Sequence, residues 1–153
     1  MSDVMSKRPP TLLGLPSYLA GHVSRIGNTQ LVAILAERGL RLPHFAVLCG
    51  LHDLGPTAQV ELADRLGLNP SHLVGYLDRL EEAGLVARSR DSDDRRRQMA
   101  ELTTTGTKTA VELITHAITS ERAQLSALTD AELNTLTALL ARVVTTDDDG
   151  SVS

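Results

Sequence analysis

The chain has 153 residues, 42% of them hydrophobic, which is enough to bury the core of a domain. Its formal net charge of −4 argues against a protein coated in basic charge, such as a histone-like or polybasic membrane-binding protein. The single cysteine, Cys49, excludes an internal disulfide framework and cysteine-rich zinc motifs, as expected in a reducing compartment.

No stretch of the chain approaches the ~20 apolar residues of a membrane span, and the N-terminal segment lacks the apolar core of a signal peptide. We therefore expect a cytoplasmic protein with no membrane partner. Aromatic residues make up 2% of the chain, which argues against base-stacking platforms for single-stranded nucleic acid.

Two helices are predicted in the N-terminal part of the chain. Pro16 is a favourable first-turn residue for a helix that runs to about Arg38 and is closed by Gly39. A second helix begins after Pro43 and ends at Gly55, with apolar residues at helical spacing between them.

A helix-turn-helix pattern follows. Thr57 can cap a short helix that Gly67 stops. Asn69 can cap the next helix, with Pro70 in its first position and Gly84 at its end. Two short helices joined by a tight glycine-containing turn are typical of this motif.

After Gly84 the hydrophobic period changes from helical to alternating. Residues 85–90 and 98–103 suit short strands, and the charged stretch 91–97 connects them. A two-stranded hairpin directly after a helix-turn-helix is a wing. Five of the fifteen basic residues of the chain lie within 88–97.

Two more helices are predicted toward the C-terminus. Thr103 can cap a long helix to about residue 127, and Thr129 and Glu132 form a capping box that opens the next helix. The acidic and polar tail, 147–153, is expected to be disordered. The predicted fold class is mainly α, with an α+β wing.

We expect a single domain over 1–153, with a winged helix-turn-helix unit at about 43–103. The flanking helices, at about 11–42 and 104–146, carry more apolar surface than a unit of that size can cover. The surplus predicts burial against a second copy of the chain, in a homodimer. The alternative is an ordinary helical core within a monomer.

The helix that begins at Pro70 is the one expected to read DNA. At 100° per residue, Leu73, Leu77 and Leu80 fall on one narrow face, and small or polar residues fall on the opposite face. The N-terminal end of such a helix usually meets base edges in the major groove. For each of these outward residues an ordinary surface role is the alternative. The residues predicted to contact DNA are Ser71, His72, Gly75 and Arg79.

In the charged loop, one acidic residue is expected to fix the shape of the loop, and the arginines are expected to contact DNA. Asp94 pairs within the loop and fixes its shape, while Arg96 at the tip reaches a minor groove, whose narrowness attracts arginine. The other arginines contact phosphates or only improve solubility. They are Arg88, Arg90, Arg95 and Arg97.

No nucleophile, glycine-rich phosphate loop or carboxylate pair stands out as catalytic, and the five histidines are scattered without a compact metal spacing. We therefore expect no enzyme, no cofactor and no metal site.

The stretch LADRLGLNPSHLVGYLDRLEEAGLVARSRDSDDRRRQMAELTTTG, residues 62–106, carries D-R-L-E, G-L-V-x-R, D-x-x-D-x-R and L-T-x-x-G in order. In this combination it resembles the MarR family of winged helix-turn-helix transcriptional regulators. Members often carry Thr and a basic or polar side chain where this sequence has Val74 and Gly75. Base-specific hydrogen bonding from this helix is therefore expected to be sparse, with more of the recognition left to the wing and to DNA shape.

The resemblance implies a homodimer that binds a pseudo-palindromic operator in double-stranded DNA through one winged unit per subunit. Most such proteins are repressors, and many release DNA when a phenolic, carboxylate or drug-like effector binds between the dimer and DNA-binding regions. For an anionic aromatic effector the first candidates are His22, Arg25 and His44. The alternative is that these are exposed polar residues without a ligand.

Two further alternatives concern function. Some family members sense peroxide through a cysteine near the start of the first helix, so one alternative is a redox-responsive regulator using Cys49. A buried, inert thiol is expected instead. A winged module for protein–protein assembly, without DNA binding, is the other alternative, because residues 57–97 hold seven basic and eight acidic side chains. The clustering of five of those seven basic residues at 88–97 favours DNA.

Overall fold

The computed structural model describes residues 6–150, and the chain divides into two compact units. The terminal unit holds the chain up to Thr29 and from Thr119 onward, and the central unit is Gln30–Ile118. The helices are α1 (Pro10–Leu13), α2 (Pro16–Glu37), α3 (Leu42–Leu54), α4 (Gln59–Leu66), α5 (Pro70–Glu82), α6 (Thr104–Gln124) and α7 (Asp130–Asp148), and the strands are β1 (Thr57–Ala58), β2 (Val86–Arg90) and β3 (Gln98–Leu102). The mainly helical fold with a small antiparallel sheet is confirmed.

The core of the central unit is aliphatic. The predicted inward stripe of α5 is confirmed, because Leu73, Leu77 and Leu80 are each at most 1% exposed. Leu48 and Leu62, from α3 and α4, are fully buried in the same cluster. Burial of each leucine contributes roughly 1.5–3 kcal/mol, so this core holds α5 against the helices that precede it.

The predicted caps are confirmed at the starts of α5 and α7. The side chain of Asn69 accepts a hydrogen bond from the N–H of Ser71 at 2.9 Å, at the start of α5. The capping box of α7 is also confirmed, with the N–H of Glu132 donating to Thr129 Oγ1 at 3.2 Å and the N–H of Thr129 donating to Glu132 Oε1 at 2.9 Å. Such local pairings satisfy backbone donors that have no partner within the helix.

Thr57 does not cap α4, contrary to the sequence prediction. It lies in β1 opposite Ala100 of β3, and its hydroxyl donates to the carbonyl of Gly55 at 2.8 Å. The helix instead begins at Gln59 without a side-chain cap. The sheet therefore has three strands, in the order β1-β3-β2, rather than the two of the predicted hairpin. A strand of two residues is too short to show an alternating pattern.

The two predicted wing strands are confirmed to within one residue at each end. β2 and β3 pair antiparallel, with Val86 opposite Leu102 and Arg90 opposite Gln98. The start of α6 is fixed beside them: the Thr103 hydroxyl donates to the carbonyl of Gly84 at 2.7 Å and accepts from the first turn of α6 at 2.9 Å. The base of the wing is thereby tied to the end of α5.

The terminal unit leaves much apolar surface uncovered. α7, all of whose residues are described, contains no buried residue, and Val143 and Val144 are 70% and 58% exposed.

In α2 Gly27 is buried, and a Cβ there would come within 2.8 Å of the Glu121 carboxylate of α6, so a glycine permits this close approach.

α7 also extends further than expected. It continues to Asp148, so the first residues of the predicted disordered tail are helical, and the hydroxyl of Thr146 donates to the carbonyl of Arg142 in its last turns. Residues 151–153 lie outside the described part of the chain. None of the helices within 6–150 combines the length and hydrophobicity needed to cross a bilayer.

Candidate nucleic-acid interface

The second helix of the helix-turn-helix presents a face of small and polar groups. Gly67, with φ +62°, makes the left-handed turn between α4 and α5. On α5 the side chains of Ser71, His72 and Asp78 are exposed, and a Cβ built on Gly75 would meet no atom within 4 Å. The structure therefore brings the predicted contact residues Ser71, His72 and Gly75 together on an open surface.

The hydroxyl of Ser71 already has an acceptor within the helix cap. It donates to Asn69 Oδ1 at 2.6 Å, in addition to the bond from its own backbone N–H. Its oxygen remains available as an acceptor, so Ser71 can receive a hydrogen bond from a base amino group.

Arg79 is engaged by the turn that follows α2. Its Nε and Nη2 donate to the carbonyls of Gly39 and Arg38, both at 3.3 Å, and Nη1 lies 3.8 Å from Glu82 Oε2. The carbonyls at the end of α2 lack partners within that helix, which makes a guanidinium favourable there. A phosphate would have to share Arg79 with these carbonyls, and its predicted DNA contact stays a prediction.

Glycine at position 39 makes room for this guanidinium. Gly39 has φ +69°, and a Cβ there would lie 2.6 Å from Arg79 Nη2. The same residue thus provides both the left-handed turn at the end of α2 and the space for the side chain that binds it.

Arg88 of β2 is paired with two carboxylates of α5. Its Nη2 donates to Asp78 and lies 3.2 Å from Glu81 Oε1, and its backbone N–H donates to Glu81 Oε2 at 3.2 Å. The side chain is 17% exposed. The hydrogen bond from Arg88 lowers the pKa of Glu81. Arg88 therefore ties the wing to α5, a role that the sequence prediction of a phosphate contact did not include.

The tip of the wing is held by Asp94. Its Oδ1 accepts the backbone N–H of Arg96 at 3.0 Å and the Nε–H of the same residue at 3.3 Å. Its carbonyl accepts the N–H of Arg97 at 2.9 Å, which closes the turn. The Arg96 side chain is nonetheless 92% exposed. The loop thus presents Arg96 to the outside in a defined backbone setting.

The remaining wing arginines are partly engaged. Arg90 Nη1 donates to the carbonyl of Arg95 at 2.8 Å, and Arg97 Nη1 lies 3.5 Å from Asp91 Oδ2. Surface pairs of this kind contribute little to stability, typically ~0–1 kcal/mol. The arginines can therefore give up these partners and bind phosphates instead. The predicted phosphate contacts of Arg90, Arg95 and Arg97 stay predictions.

An open pocket with a volume of about 650 Å³ lies beside α5, and its lining includes Arg41, His72 and Arg79. His44, predicted as an effector contact, also lines it but is only 5% exposed. The His44 Nδ1 accepts the N–H of Arg41 at 2.9 Å, and its ring meets that of Tyr76 edge-on at 5.3 Å. Burial, followed by the nearby Arg41, lowers the pKa of His44.

The other two predicted effector residues meet in the terminal unit. Arg25 Nη2 lies 2.7 Å from His22 Nδ1, and Arg8 Nη1 lies 3.2 Å from His22 Nε2 and donates to the Tyr18 hydroxyl at 2.9 Å. Partial burial and the two guanidiniums lower the pKa of His22. Arg8 and Tyr18 escaped sequence reasoning, because Arg8 precedes the first predicted helix and no local pattern links it to that helix.

This set, Arg8, Tyr18, His22 and Arg25, is here called the arginine–histidine cluster. A neutral imidazole has one acceptor nitrogen, so it can accept a hydrogen bond from only one of the two guanidiniums. Within residues 6–150 neither Arg8 nor Arg25 has a carboxylate partner among the ion pairs of the structure. The cluster therefore concentrates positive charge with donors to spare.

The Cys49 thiol is a poor nucleophile at neutral pH. Burial, with Asp53 nearby, raises the pKa of the Cys49 thiol to about 11, and the thiolate is the reactive form. Within residues 6–150 no group of three or more His, Cys, Asp or Glu side chains is placed to hold a metal ion.

Sequence comparison relates the chain to regulators of transcription. A model of the MarR family matches residues 40–97. The HTH-type transcriptional repressor NicR of Pseudomonas putida is 28% identical over 132 residues, which cover 84% of each chain.

Solved structures agree in fold over most of the chain. A probable transcriptional regulator from Pseudomonas aeruginosa is 31% identical, with a TM-score of 0.67 over 81% of this chain and 96% of that one. A mutant MarR from E. coli in complex with operator DNA is 26% identical, with a TM-score of 0.72 over 89% and 99% of the two chains. BpsR of Bordetella bronchiseptica, whose DNA binding is regulated by 6-hydroxynicotinic acid, is 27% identical, with a TM-score of 0.65 over 82% and 98%.

Proposed function

Because the chain belongs to the MarR family of winged helix-turn-helix transcriptional regulators, which is not a class of enzymes, we propose that it is a homodimeric repressor that binds a pseudo-palindromic operator. The observation that carries the proposal is the wing tip, where Asp94 orients an Arg96 side chain that is 92% exposed. The similar repressor NicR and the similar MarR–operator complex support it.

In this proposal α5 enters the major groove and the wing contacts the backbone beside it. The N-terminal half of α5 has no acidic side chain, which allows it to approach bases, and the helix dipole favours nearby phosphates. Arg96 enters the adjacent minor groove, and the exposed Arg90, Arg95 and Arg97 bind phosphates. Recognition of sequence-dependent DNA shape supplements the few base contacts of α5.

The homodimer is supported by the uncovered apolar surface of the terminal unit. Leu139, Leu140, Val143 and Val144 of α7 are 44–70% exposed, and Leu15 before α2 is 45% exposed. Exposure of so many large apolar side chains in these two segments is unfavourable in water and supports their burial in a dimer interface. A two-fold axis through this interface would place two winged units on half-sites ~34–36 Å apart.

We assign the effector site to the arginine–histidine cluster. Two guanidiniums with spare donors favour a carboxylate, and Tyr18 adds a ring and a hydroxyl, which suits a hydroxylated aromatic acid. The similar BpsR, which responds to 6-hydroxynicotinic acid, supports this class of ligand. Such a ligand lowers operator affinity by binding more tightly to the state whose recognition helices are mis-spaced for DNA. His44 stays a candidate contact in the central unit.

The proposal is tested with the full chain and a labelled duplex from the region upstream of its own gene. Specific binding should appear at ~50 mM salt, and log affinity should fall linearly as log salt rises. Absence of binding to every fragment of that region at this salt would contradict DNA binding and favour the protein–protein alternative.

The effector site has its own test. In the same assay 6-hydroxynicotinic acid, as a representative aromatic acid, should release the duplex from the parent protein but not from Arg8→Ala. The matched control is Lys7→Ala, next in the chain, which should respond like the parent. Equal release from Arg8→Ala and the parent would remove the cluster from the mechanism.

A further inference from the structure

Val74 is an exposed aliphatic side chain on the DNA-facing helix. It is 41% exposed, whereas Leu73, Leu77 and Leu80 of the same helix are each at most 1% exposed. At 100° per residue it shares the outer half of the helix surface with Ser71. Because Val74 lies in the N-terminal half of α5, it is in the part of a recognition helix that meets base edges.

Two polar neighbours of Val74, Ser71 and Asp78, already have partners within the protein. The Ser71 hydroxyl donates to the side chain that caps the helix at 2.6 Å, and Asp78 is paired with Arg88. Gly75 contributes no side chain, and a Cβ there would meet nothing within 4 Å. The middle of α5 therefore offers an aliphatic group beside open space instead of free hydrogen-bond donors.

The chemistry of the major groove selects the partner of such a group. Of the four bases only thymine carries an apolar group at its major-groove edge, the C5 methyl, and aliphatic side chains pack against it. Valine cannot form a hydrogen bond to any base edge, so burial of apolar surface is the contact available to it. The missing side chain at Gly75 allows the helix to come close enough for that contact.

We infer that Val74 is a specificity-determining residue that packs against the C5 methyl of a thymine in each operator half-site. The inference rests on the proposed DNA binding and deepens it, because it names the base that this helix selects. It also accounts for readout by a helix with few free hydrogen-bonding side chains: a methyl contact takes the place of a bidentate one.

The experiment begins with duplexes selected from a random-sequence pool by the full-length protein. In the selected duplex, each thymine of the half-site is replaced in turn by deoxyuridine, symmetrically in both halves. This change removes only the C5 methyl and keeps Watson–Crick pairing. Affinities are measured by fluorescence anisotropy for the parent, Val74→Ala, Val74→Thr and the control Val60→Ala, which alters a 77% exposed valine on α4.

At one thymine of the half-site, the parent should lose about fourfold in affinity for each methyl removed, since burial of a methyl-sized group contributes ~0.8 kcal/mol. Val74→Ala should bind the thymine and deoxyuridine duplexes equally. Val74→Thr, which keeps one γ-methyl, and Val60→Ala should retain the preference for thymine. Thermal unfolding of each variant should match the parent, because both valines are exposed.

Two results would overturn the inference. One is a parent that binds its selected duplex but is indifferent to deoxyuridine at every thymine of the half-site. The other is a Val74→Ala protein that keeps the full preference. Both results leave the proposed DNA binding standing, whereas failure of the parent to select any duplex would contradict DNA binding itself.

Discussion

Asp94 Oδ1 accepts both the backbone N–H and the Nε–H of Arg96, at 3.0 and 3.3 Å, while the Arg96 side chain remains 92% exposed. A carboxylate in a wing would ordinarily repel DNA. Here it holds the backbone N–H and the Nε–H of Arg96 within the turn that Asp94 closes with Arg97, and leaves the two terminal guanidinium nitrogens exposed. The acidic residues of the loop thus have a structural purpose that is compatible with DNA binding.

Asp94→Ala tests this structural role, because the lost negative charge and the lost restraint on Arg96 should change DNA affinity in opposite directions. Loss of a negative charge would by itself strengthen binding to DNA, but loss of the restraint on Arg96 should weaken it by increasing the entropy cost of ordering the loop. We expect a net loss of affinity, measured by anisotropy with one operator duplex. Asp93→Ala, which removes the same charge from a neighbouring exposed position, is the control and should bind at least as well as the parent.

The ion pair between Glu81 and Arg88 should make the free energy of unfolding depend on pH. Its pKa is lower in the folded protein than its ordinary value of 4.5, first because of the hydrogen bond from Arg88. Its contribution to the free energy of unfolding is therefore present above pH 4.5 and is lost as pH falls through the folded pKa.

Thermal unfolding of the parent and Glu81→Gln should accordingly differ most near pH 7. The difference should shrink as the pH falls below 4.5 and vanish once the pH is below the folded pKa, where the carboxyl is protonated in both states of the parent. A difference between the two proteins that stays constant over this range would show that the ion pair with Arg88 does not stabilise the fold. Glu82→Gln, with a single 3.8 Å pair to Arg79, is the control and should show a smaller change.

Cys49 should be inert at neutral pH. With its pKa raised to about 11, the fraction present as thiolate is very small, and partial burial limits access. Mild peroxide should therefore leave operator binding by both the parent and Cys49→Ser unchanged. Release of DNA from the oxidised parent, abolished by the substitution, would support the redox-responsive alternative.

Val143 tests the proposed dimer. The residue is 70% exposed in the isolated chain, and burial of an unpaired carboxylate at an interface costs several kcal/mol. Val143→Glu should therefore shift the parent dimer toward monomer in sedimentation experiments and weaken operator binding. Val60→Glu, at a 77% exposed valine in α4, should leave the dimer intact. An unchanged mass for Val143→Glu would place the interface elsewhere.

The features that could be predicted from sequence depend on neighbours along the chain. Asn69 and Thr129 cap helices through bonds to residues two or three positions away, and the inward leucines of α5 follow its period. The wing strands were recognisable from their alternation and from the charged loop between them.

The features that could not be predicted depend on contacts distant in sequence. Arg79 binds carbonyls about forty residues away, and Arg88 binds carboxylates of a different element, so both seemed free for phosphate. Thr57 looks like a cap because nothing local shows that it pairs with β3. Arg8 joins His22 across fourteen residues that include α1 and the turn before α2. In each case the partner is selected by the fold.

Operator affinity of the parent and Arg96→Ala as a function of salt is the most direct test of DNA recognition through the wing. Arg96→Ala should weaken binding by at least ~1 kcal/mol and lower the slope of log affinity against log salt by about 1, with the dimer intact. Arg122→Ala, at an exposed arginine paired with Asp130 in the terminal unit, should match the parent. An Arg96→Ala protein with unchanged affinity and slope would contradict the role assigned to the wing.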